Sequence, residues 1–440
     1  MLIFISDLHL MDGTAGADHL DSDAFQATFK DLSLHAKKAE AQNVKIILLG
    51  DIFDILRSEK WFEIDLEHRP WGNKPLEQPM IDILNNIILN NKKTLEIISG
   101  TLEVEDYKIK PEIVYIPGNH DKFCNMYESL RQIIINELSI DATSSNPFPN
   151  FYFDKEYEVF ARHGHEWDGF NFEPCKPIKY THYNQFSHAD YLNTSIGDLI
   201  ATEFATKLPK IVKDNLSNYP NQEQIYNNFR RLFDVRPFAA MIPWIFYQTK
   251  KYDKSIQEII NSSIRNTTRE FKKIPYVQNW IKEHNHWWHP FDKTNYLQLL
   301  LVLLESCEVT DFKQGMEISD KMINLWDKDK FALKALSELH ALDSDSNLQN
   351  QISYILYGHT HKPYLKGLEN INNSNEQKEA AYINTGTWRP TYHQNLIKNG
   401  FMSKKNITFT IIYKPGEKAS GKLIENKPVF ETWTGSYLTN

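Results

Sequence analysis

Six short runs of apolar, β-branched and aromatic residues punctuate the chain, at Leu2–Ile5, Lys45–Leu49, Ile113–Ile116, Tyr157–Ala161, Ser353–Tyr357 and Ala381–Ile383. Their length and composition predict buried strands. Each ends at once in a polar or glycine-containing turn: Asp7-Leu8-His9, Gly50-Asp51-Ile52-Phe53-Asp54, Gly118-Asn119-His120-Asp121, His163-Gly164-His165, Gly358-His359-Thr360-His361 and Asn384-Thr385-Gly386-Thr387. In layered α/β folds, ligands bind beyond the carboxyl ends of strands, where loops converge. One such pairing of strand and turn is a coincidence. Repeated through the chain, it predicts a site assembled from strand ends.

Other stretches change period. Glu77 to Ile98 carries apolar residues at helical spacing (Ile81, Leu84, Ile87, Ile88), which predicts an outer helix, with a loop before it at Arg69-Pro70-Trp71-Gly72. From Gly169 to Asn350 strand signals vanish. Helical periodicity covers Ser187–Asn215, Gln222–Phe233, Ser255–Phe271, Tyr296–Ser306, Phe312–Trp326 and Lys330–Leu342. Glu369 to Glu379 reads as a polar loop, and Thr408–Tyr413 with Val429–Trp433 as a closing β-hairpin. The expected organisation is an α/β core of residues 1–168 and 352–440, interrupted by a helical insertion, or cap, of residues 169–351. Both ends of that insertion join turns rich in ligand-type residues, so it is expected beside the site.

The turns carry metal-ligand chemistry. Residues two apart leaving a strand can face the same side, so the Asp7 carboxylate and the His9 imidazole aim at one spot. Gly50 lets the backbone turn tightly before Asp51. Gly118-Asn119-His120-Asp121 combines a glycine turn, a neutral oxygen ligand, a titratable imidazole and a carboxylate able to orient it. His359 and His361 alternate beyond a strand and make a natural pair, imidazole being the commonest metal ligand. Taken singly, each has a plain structural reading, such as a helix cap at Asp51 or satisfied core histidines. Taken together, those readings require all these groups to gather at strand ends without purpose.

Composition narrows the setting. Hydrophobic content of 41% and charged content of 24% are ordinary for a globular chain of 440 residues. A net charge of −8 argues against a nucleic-acid partner, which would call for a basic stripe. Three cysteines (Cys124, Cys175, Cys307) form no disulfide framework and suit a reducing compartment. Leu2–Ile5 already reads as a strand, so no secretory leader is expected. The longest apolar run, Leu297 to Leu304, falls short of the roughly 20 residues that span a bilayer. The expectation is a cytoplasmic chain without a transmembrane segment.

Asp-x-His, Gly-Asp-x-x-Asp, Gly-Asn-His-Asp, a middle histidine and Gly-His-x-His, in that order, resemble the calcineurin-like metallophosphoesterase superfamily. The resemblance covers residues 1–168 and 352–390, about half of the chain, and leaves 169–351 unmatched. Asp7-Leu8-His9-Leu10 with Gly118-Asn119-His120-Asp121 is closer to the UDP-diacylglucosamine pyrophosphohydrolase-like branch than to Ser/Thr protein phosphatases, whose Arg-Gly after the second motif is replaced here by Ile55-Leu56. At His163-Gly164-His165 the chain departs from the His-Gly-Asp of the lipid-pathway hydrolases, and Asp168 stands ready for the missing carboxylate's role.

The resemblance implies a four-layer α/β/β/α sandwich of two mixed sheets. It also implies one metal held by Asp7, His9, Asp51 and His361, and a second by Asp51, Asn119, His163 and His359. Oxygen and nitrogen ligands without thiolate fit Mn²⁺ first, with Fe or Zn²⁺ as alternatives. Two divalent ions facing two aspartates leave a local excess of positive charge for a hydroxide and a phosphate, whatever the sign of the whole protein. The implied reaction is hydrolysis of a phosphodiester, pyrophosphate or phosphomonoester by a metal-bridging hydroxide, on a small-molecule, lipid or nucleotide substrate. His120 would protonate or stabilise the leaving oxygen, with Asp121 or Asp54 holding its ring. Arg389 is a candidate phosphate contact, while Arg57, Arg69 and Arg162 are expected to be solvated. His284-Asn285-His286-Trp287-Trp288-His289 is expected to pack or line a pocket rather than to bind metal. A metal-dependent nuclease and a metal-bound interaction scaffold without turnover are the competing functional classes.

Overall fold

The central strands are largely apolar because both of their faces are covered. The structure, a computed structural model, describes residues 1–175, 186–237, 240–284, 297–298, 301–302, 304–305, 329–344, 352–368 and 379–438. It is a mixed α/β fold. The larger sheet contains β1 (Leu2–Ile5), β2 (Lys45–Leu49), β3 (Glu112–Ile116), β6 (Val235–Arg236), β10 (Pro390–Gln394), β11 (Phe401–Tyr413) and β12 (Val429–Leu438). Its order is β3-β2-β1-β11-β10-β6, with β12 also paired to β11. Strands β1, β2 and β3 run parallel, and β11 closes antiparallel against β1. The second sheet orders β8 (Tyr364–Leu368), β9 (Ala380–Asn384), β7 (Tyr354–Tyr357), β5 (Val159–Ala161) and β4 (Tyr152–Asp154), with the central β9, β7 and β5 parallel.

Alternate residues of β1 and β2 enter different cores. Leu2, Phe4, Ile47 and Leu49 pack with Val159, Ala161, Leu356 and Ile383 between the two sheets. Ile3, Ile5, Ile46 and Leu48 pack on the other side with Phe25, Phe29 and Leu32 of α1 (Ser22–Ala39) and with Ile83 and Leu84 of α2 (Glu77–Asn90). Burial on both faces is the usual lot of parallel strands and yields continuous apolar runs instead of alternation. The outer face of the second sheet offers Phe160, Ile355, Tyr357 and Tyr382 to Ala335, Leu339 and Leu342 of α10 (Lys330–Ser344).

The predicted helix over Glu77 to Ile98 is two helices, α2 and α3 (Lys92–Ser99), broken at Asn91. The Asn91 side chain donates to the carbonyls of Ile87 (2.7 Å) and Met11 (3.0 Å), which ties the break to the turn after β1. After α4 (Glu128–Leu138) the chain enters the second sheet, and beyond it the helical segment. There α5 (Lys207–Asn215), α6 (Gln222–Arg230), α7 (Met241–Thr249), α8 (Lys254–Lys273) and α9 (Pro275–His284) bury Leu208, Phe229, Trp244 and Ile260 in the same core that covers the first sheet. Two residues of this stretch form β6, paired parallel with β10. A strand so short carries no periodic signal. The helix expected at Phe312–Trp326, part of Tyr296–Ser306, the loop at Glu369–Glu379 except its last residue, and Asn285 to His289 lie outside the described residues. Among the described residues no helix is long and apolar enough to cross a membrane.

Leu339 is fully buried between α10 and the second sheet. Leu339→Ala should therefore cost about 2–5 kcal/mol of unfolding free energy, measured by urea denaturation. A loss within about 0.5 kcal/mol, the range of ordinary surface changes, would mean that α10 does not cover that sheet.

Candidate metal centre

Parallel strands bring their carboxyl ends to one edge, and the predicted turns meet there. The turn after β1 is hydrogen-bonded to the turn after β2: Asp7 N donates to Gly50 O (3.0 Å), His9 N to Asp51 O (2.8 Å) and Leu10 N to Ile52 O (2.8 Å). The sheets are joined at the same level, where His359 N donates to Asp7 Oδ2 (3.0 Å), and within the second sheet Gly358 N donates to His163 O (2.9 Å). Gly50 has φ +85°, and a Cβ there would run into the His163 ring; one at Gly118 would run into the Asp51 carboxylate. Both glycines are needed for this close approach.

Asp7 (φ 54°), His9 (45°), Asp51 (55°), His359 (68°) and His361 (57°) all adopt the left-handed region. Non-glycine residues rarely do so, and such strain persists only where surrounding structure over-determines it. Here it turns five side chains of adjacent loops toward a common point.

Three groups of ligand atoms result: one is His9, Asp54 and His120, and the other two share Asp51. Asp7, His9, Asp51 and His361 place one atom each within 4.8 Å of one another, and so do Asp51, His163 and His359; either group could hold a metal ion. Asp51 belongs to both. Its Oδ2 lies 3.3 Å from His163 Nε2 and 3.6 Å from His9 Nε2. Asp7 Oδ1 lies 3.4 Å from His361 Nε2. Asn119 Oδ1 sits 3.1 Å from His359 Nδ1, beside the second group. All seven residues predicted as ligands are thus brought together. Asp7 Oδ1 and His163 Nε2 are buried without a hydrogen-bond partner, a costly arrangement for polar atoms unless a cation takes them up. The donor set of carboxylate, imidazole and amide oxygen fits a divalent ion.

Neighbouring groups orient these ligands. His163 Nδ1 donates to Leu49 O (2.9 Å), which leaves Nε2 as the ligand atom. His9 Nδ1 meets Asp54 Oδ2 (2.8 Å) and His359 Nε2 meets Asp168 Oδ2 (3.1 Å). Such carboxylate–imidazole contacts fix ring orientation around metals. Asp168 therefore does stand where a carboxylate can steer a candidate ligand. His120, 13% exposed, has Nδ1 3.0 Å from Asp54 Oδ1. Of the two carboxylates expected to hold that ring, the structure selects Asp54. The fully buried Asp121 instead accepts from Ile52 N (2.8 Å), Gly118 N (2.5 Å) and Tyr115 OH (2.7 Å), so it braces loops and does not touch the His120 ring.

The arginines depart from expectation. Arg57, Arg69 and Arg162 are buried, at 2%, 8% and 0% exposure, rather than solvated. Arg57 Nε donates to Asp54 Oδ2 (2.5 Å), and Arg69 Nη1 to Glu203 Oε1 (2.5 Å). Arg389 is committed to Asp234 through Nε and Nη2 (both 2.9 Å) and to the carbonyls of His9 and Asp18 (both 3.1 Å). It is a buried clamp between the helical segment and the loops of β1, with four of its five N–H donors engaged. No motif pointed to Arg236, in β6, whose Nη2 lies 2.6 Å from His361 Nδ1 and 3.3 Å from Nε2. Phe331, at the start of α10, approaches His359 with ring centroids 6.1 Å apart. His284, the described end of the His/Trp-rich run, stacks on Trp280 (4.5 Å).

Charge is unevenly settled. Burial lifts the Asp7 carboxyl to about 7 against the pull of His163. Burial would also raise Asp51, but His163, His120 and His9 hold it well below the usual carboxylate range. Burial would lower His163, yet the Asp51 carboxylate brings it up to about 10. Burial and then Arg57 take His9 down to about 3, and burial and then Arg236 take His361 well below the imidazole range. His165, 1% exposed and without a hydrogen bond on either ring nitrogen, is taken down to about 3 by burial.

No protein-family model matches the chain, and no curated protein matches it.

The His165 shift has a measurable consequence. A depressed imidazole resists protonation in the folded chain but takes a proton near 6.5 when unfolded. Its contribution is therefore fully present above about pH 6.5 and is lost as pH falls from there toward 3. In urea titrations between pH 7.5 and 4, wild type should lose stability more steeply than His165→Asn. Parallel curves would contradict a neutral, buried His165.

Proposed function

We propose that the chain is a dinuclear-metal-dependent phosphoesterase of the calcineurin-like metallophosphoesterase superfamily, hydrolysing a phosphodiester, pyrophosphate or phosphomonoester. The observation that carries this reading is the sharing of Asp51 between two ligand groups. The finer fold reading, a four-layer α/β/β/α sandwich, is supported by helices against the outer face of each sheet and an apolar core between them. The first metal would be held by Asp7, His9, Asp51 and His361, and the second by Asp51, Asn119, His163 and His359. When bound, two divalent ions (Mn²⁺ first, Fe or Zn²⁺ otherwise) supply Lewis-acid polarisation of the phosphoryl group and a lowered pKa for water.

The chain's own residues do the rest. His120 sits outside the two ligand groups that share Asp51 and is partly exposed. With Nδ1 engaged by Asp54, its Nε2 is the nitrogen left to deliver a proton to the departing oxygen. Asp54 also orients His9, so one buried carboxylate positions both a ligand and the proposed acid. The His120 backbone N–H donates to Asp51 Oδ1 (2.8 Å), which fixes the distance between acid and shared carboxylate. Arg57 keeps Asp54 ionised for that work: burial would raise it, but the guanidinium holds it well below its ordinary value.

Chelator-treated protein should lose hydrolysis of bis(p-nitrophenyl) phosphate and regain it with Mn²⁺. Full turnover in protein shown metal-free by elemental analysis would end the two-metal reading. Asp51→Ala should lose both metals and most activity together. His120→Ala should keep its metals yet lose roughly 10²–10⁴-fold in rate. Metal loss in His120→Ala, or unchanged turnover on an unactivated ester, would remove its assigned role.

A further inference from the structure

We propose that Arg236, delivered by the helical segment, is a phosphate-binding residue of this centre. The proposal rests on the phosphoesterase reading above and deepens it by adding a substrate contact outside the turns that carry the ligands.

The argument is one of charge. Two other arginines, Arg57 and Arg389, act on Arg236, and both Arg236 and Arg57 act on His361. Asp234 and, more weakly, Asp7 attract Arg236 from a distance, but the ion pairs formed here go to the other two arginines. Asp54 pairs with Arg57, and Asp234 pairs with Arg389 through two hydrogen bonds. Among the described residues no carboxylate lies within ion-pair distance of Arg236. Its Nη1 donates to the carbonyls of Phe233 (2.6 Å) and Val235 (3.0 Å), and its Nη2 lies against the imidazole of His361. Carbonyl oxygens can satisfy N–H groups but do not neutralise a guanidinium, and a neighbouring imidazole offers it no opposite charge.

A guanidinium at low exposure without a direct ion pair is costly unless it meets an anion in use. Arg236 is only partly buried. It stands beside His361, hence at the edge of the first ligand group, where a non-bridging phosphate oxygen would come within reach. A planar guanidinium suits that oxygen through paired N–H donors. Its placement is fixed by pairing of β6 with β10, Tyr392 opposite Val235 and His393 opposite Arg236. The helical segment is then part of the site and not an accessory to it.

The test uses the full chain loaded with Mn²⁺ and inorganic phosphate as the probe. Arg236→Gln should keep its metal content and thermal midpoint but bind phosphate at least about tenfold more weakly by calorimetry, the equivalent of one charged hydrogen bond. Arg236→Lys should recover part of the affinity, because it keeps the charge but loses the planar donors. Unchanged phosphate affinity in Arg236→Gln, with wild type still hydrolysing esters, would overturn this inference and leave the phosphoesterase reading standing. Loss of metal in both variants would also overturn it, recasting Arg236 as a positioning residue for His361. Failure of wild type to hydrolyse any ester, with phosphate binding still dependent on Arg236, would sink the phosphoesterase reading and keep the anion site.

Discussion

A single buried carboxylate, that of Asp51, lies between two histidines of different sheets, 3.6 Å from His9 and 3.3 Å from His163. Much of the surrounding structure serves to keep it there. The neighbouring amide of His120 donates to it, and Gly118 leaves the space it fills. Asp121, itself fully buried, accepts from the backbone on either side of it. Without cations, two carboxylates and four imidazoles would be a poor choice for the floor of a pocket. The lift on Asp7, the depression of His9 and His361, and the rise of His163 express that conflict in proton affinity. A pair of divalent ions would settle it.

The same constraint accounts for the backbone. Left-handed conformations at Asp7, His9, Asp51, His359 and His361 are locally unfavourable. They are held by strands buried on both faces, whose ends are cross-linked by hydrogen bonds between turns. Packing energy in three apolar cores is thereby converted into side-chain aim. The helical segment takes part in this: Asp234 clamps Arg389 under the turn of β1, Glu203 holds Arg69, and Asp198 pairs with Lys122 just after the His120 turn (2.6 Å).

Strand ends and ligand-type residues were legible because both leave local signals, an apolar run and a polar turn. Asp7, His9, Asp51, Asn119, His163, His359 and His361 all fall where that pattern placed them. Boundaries were less legible. Tyr157 and Glu158 look like strand, yet Glu158 has φ 49° and turns the chain before β5 begins. Asn91 splits a helix by bonding to a loop far away in sequence. Partners of charged groups were not legible at all. Nothing local distinguishes Arg389, sealed by Asp234, from Arg236, which makes no ion pair among the described residues. Nor does anything local say that Asp54 and not Asp121 faces His120. Those choices depend on which segments meet in space.

Locating the ions would test the central claim most directly. In crystals grown with Mn²⁺, anomalous difference density should show two peaks about 3.5–4 Å apart. One should lie among Asp7, His9, Asp51 and His361, and the other among Asp51, Asn119, His163 and His359, with the Asp51 carboxylate touching both. A single peak at full occupancy, or peaks that Asp51 does not bridge, would contradict the account.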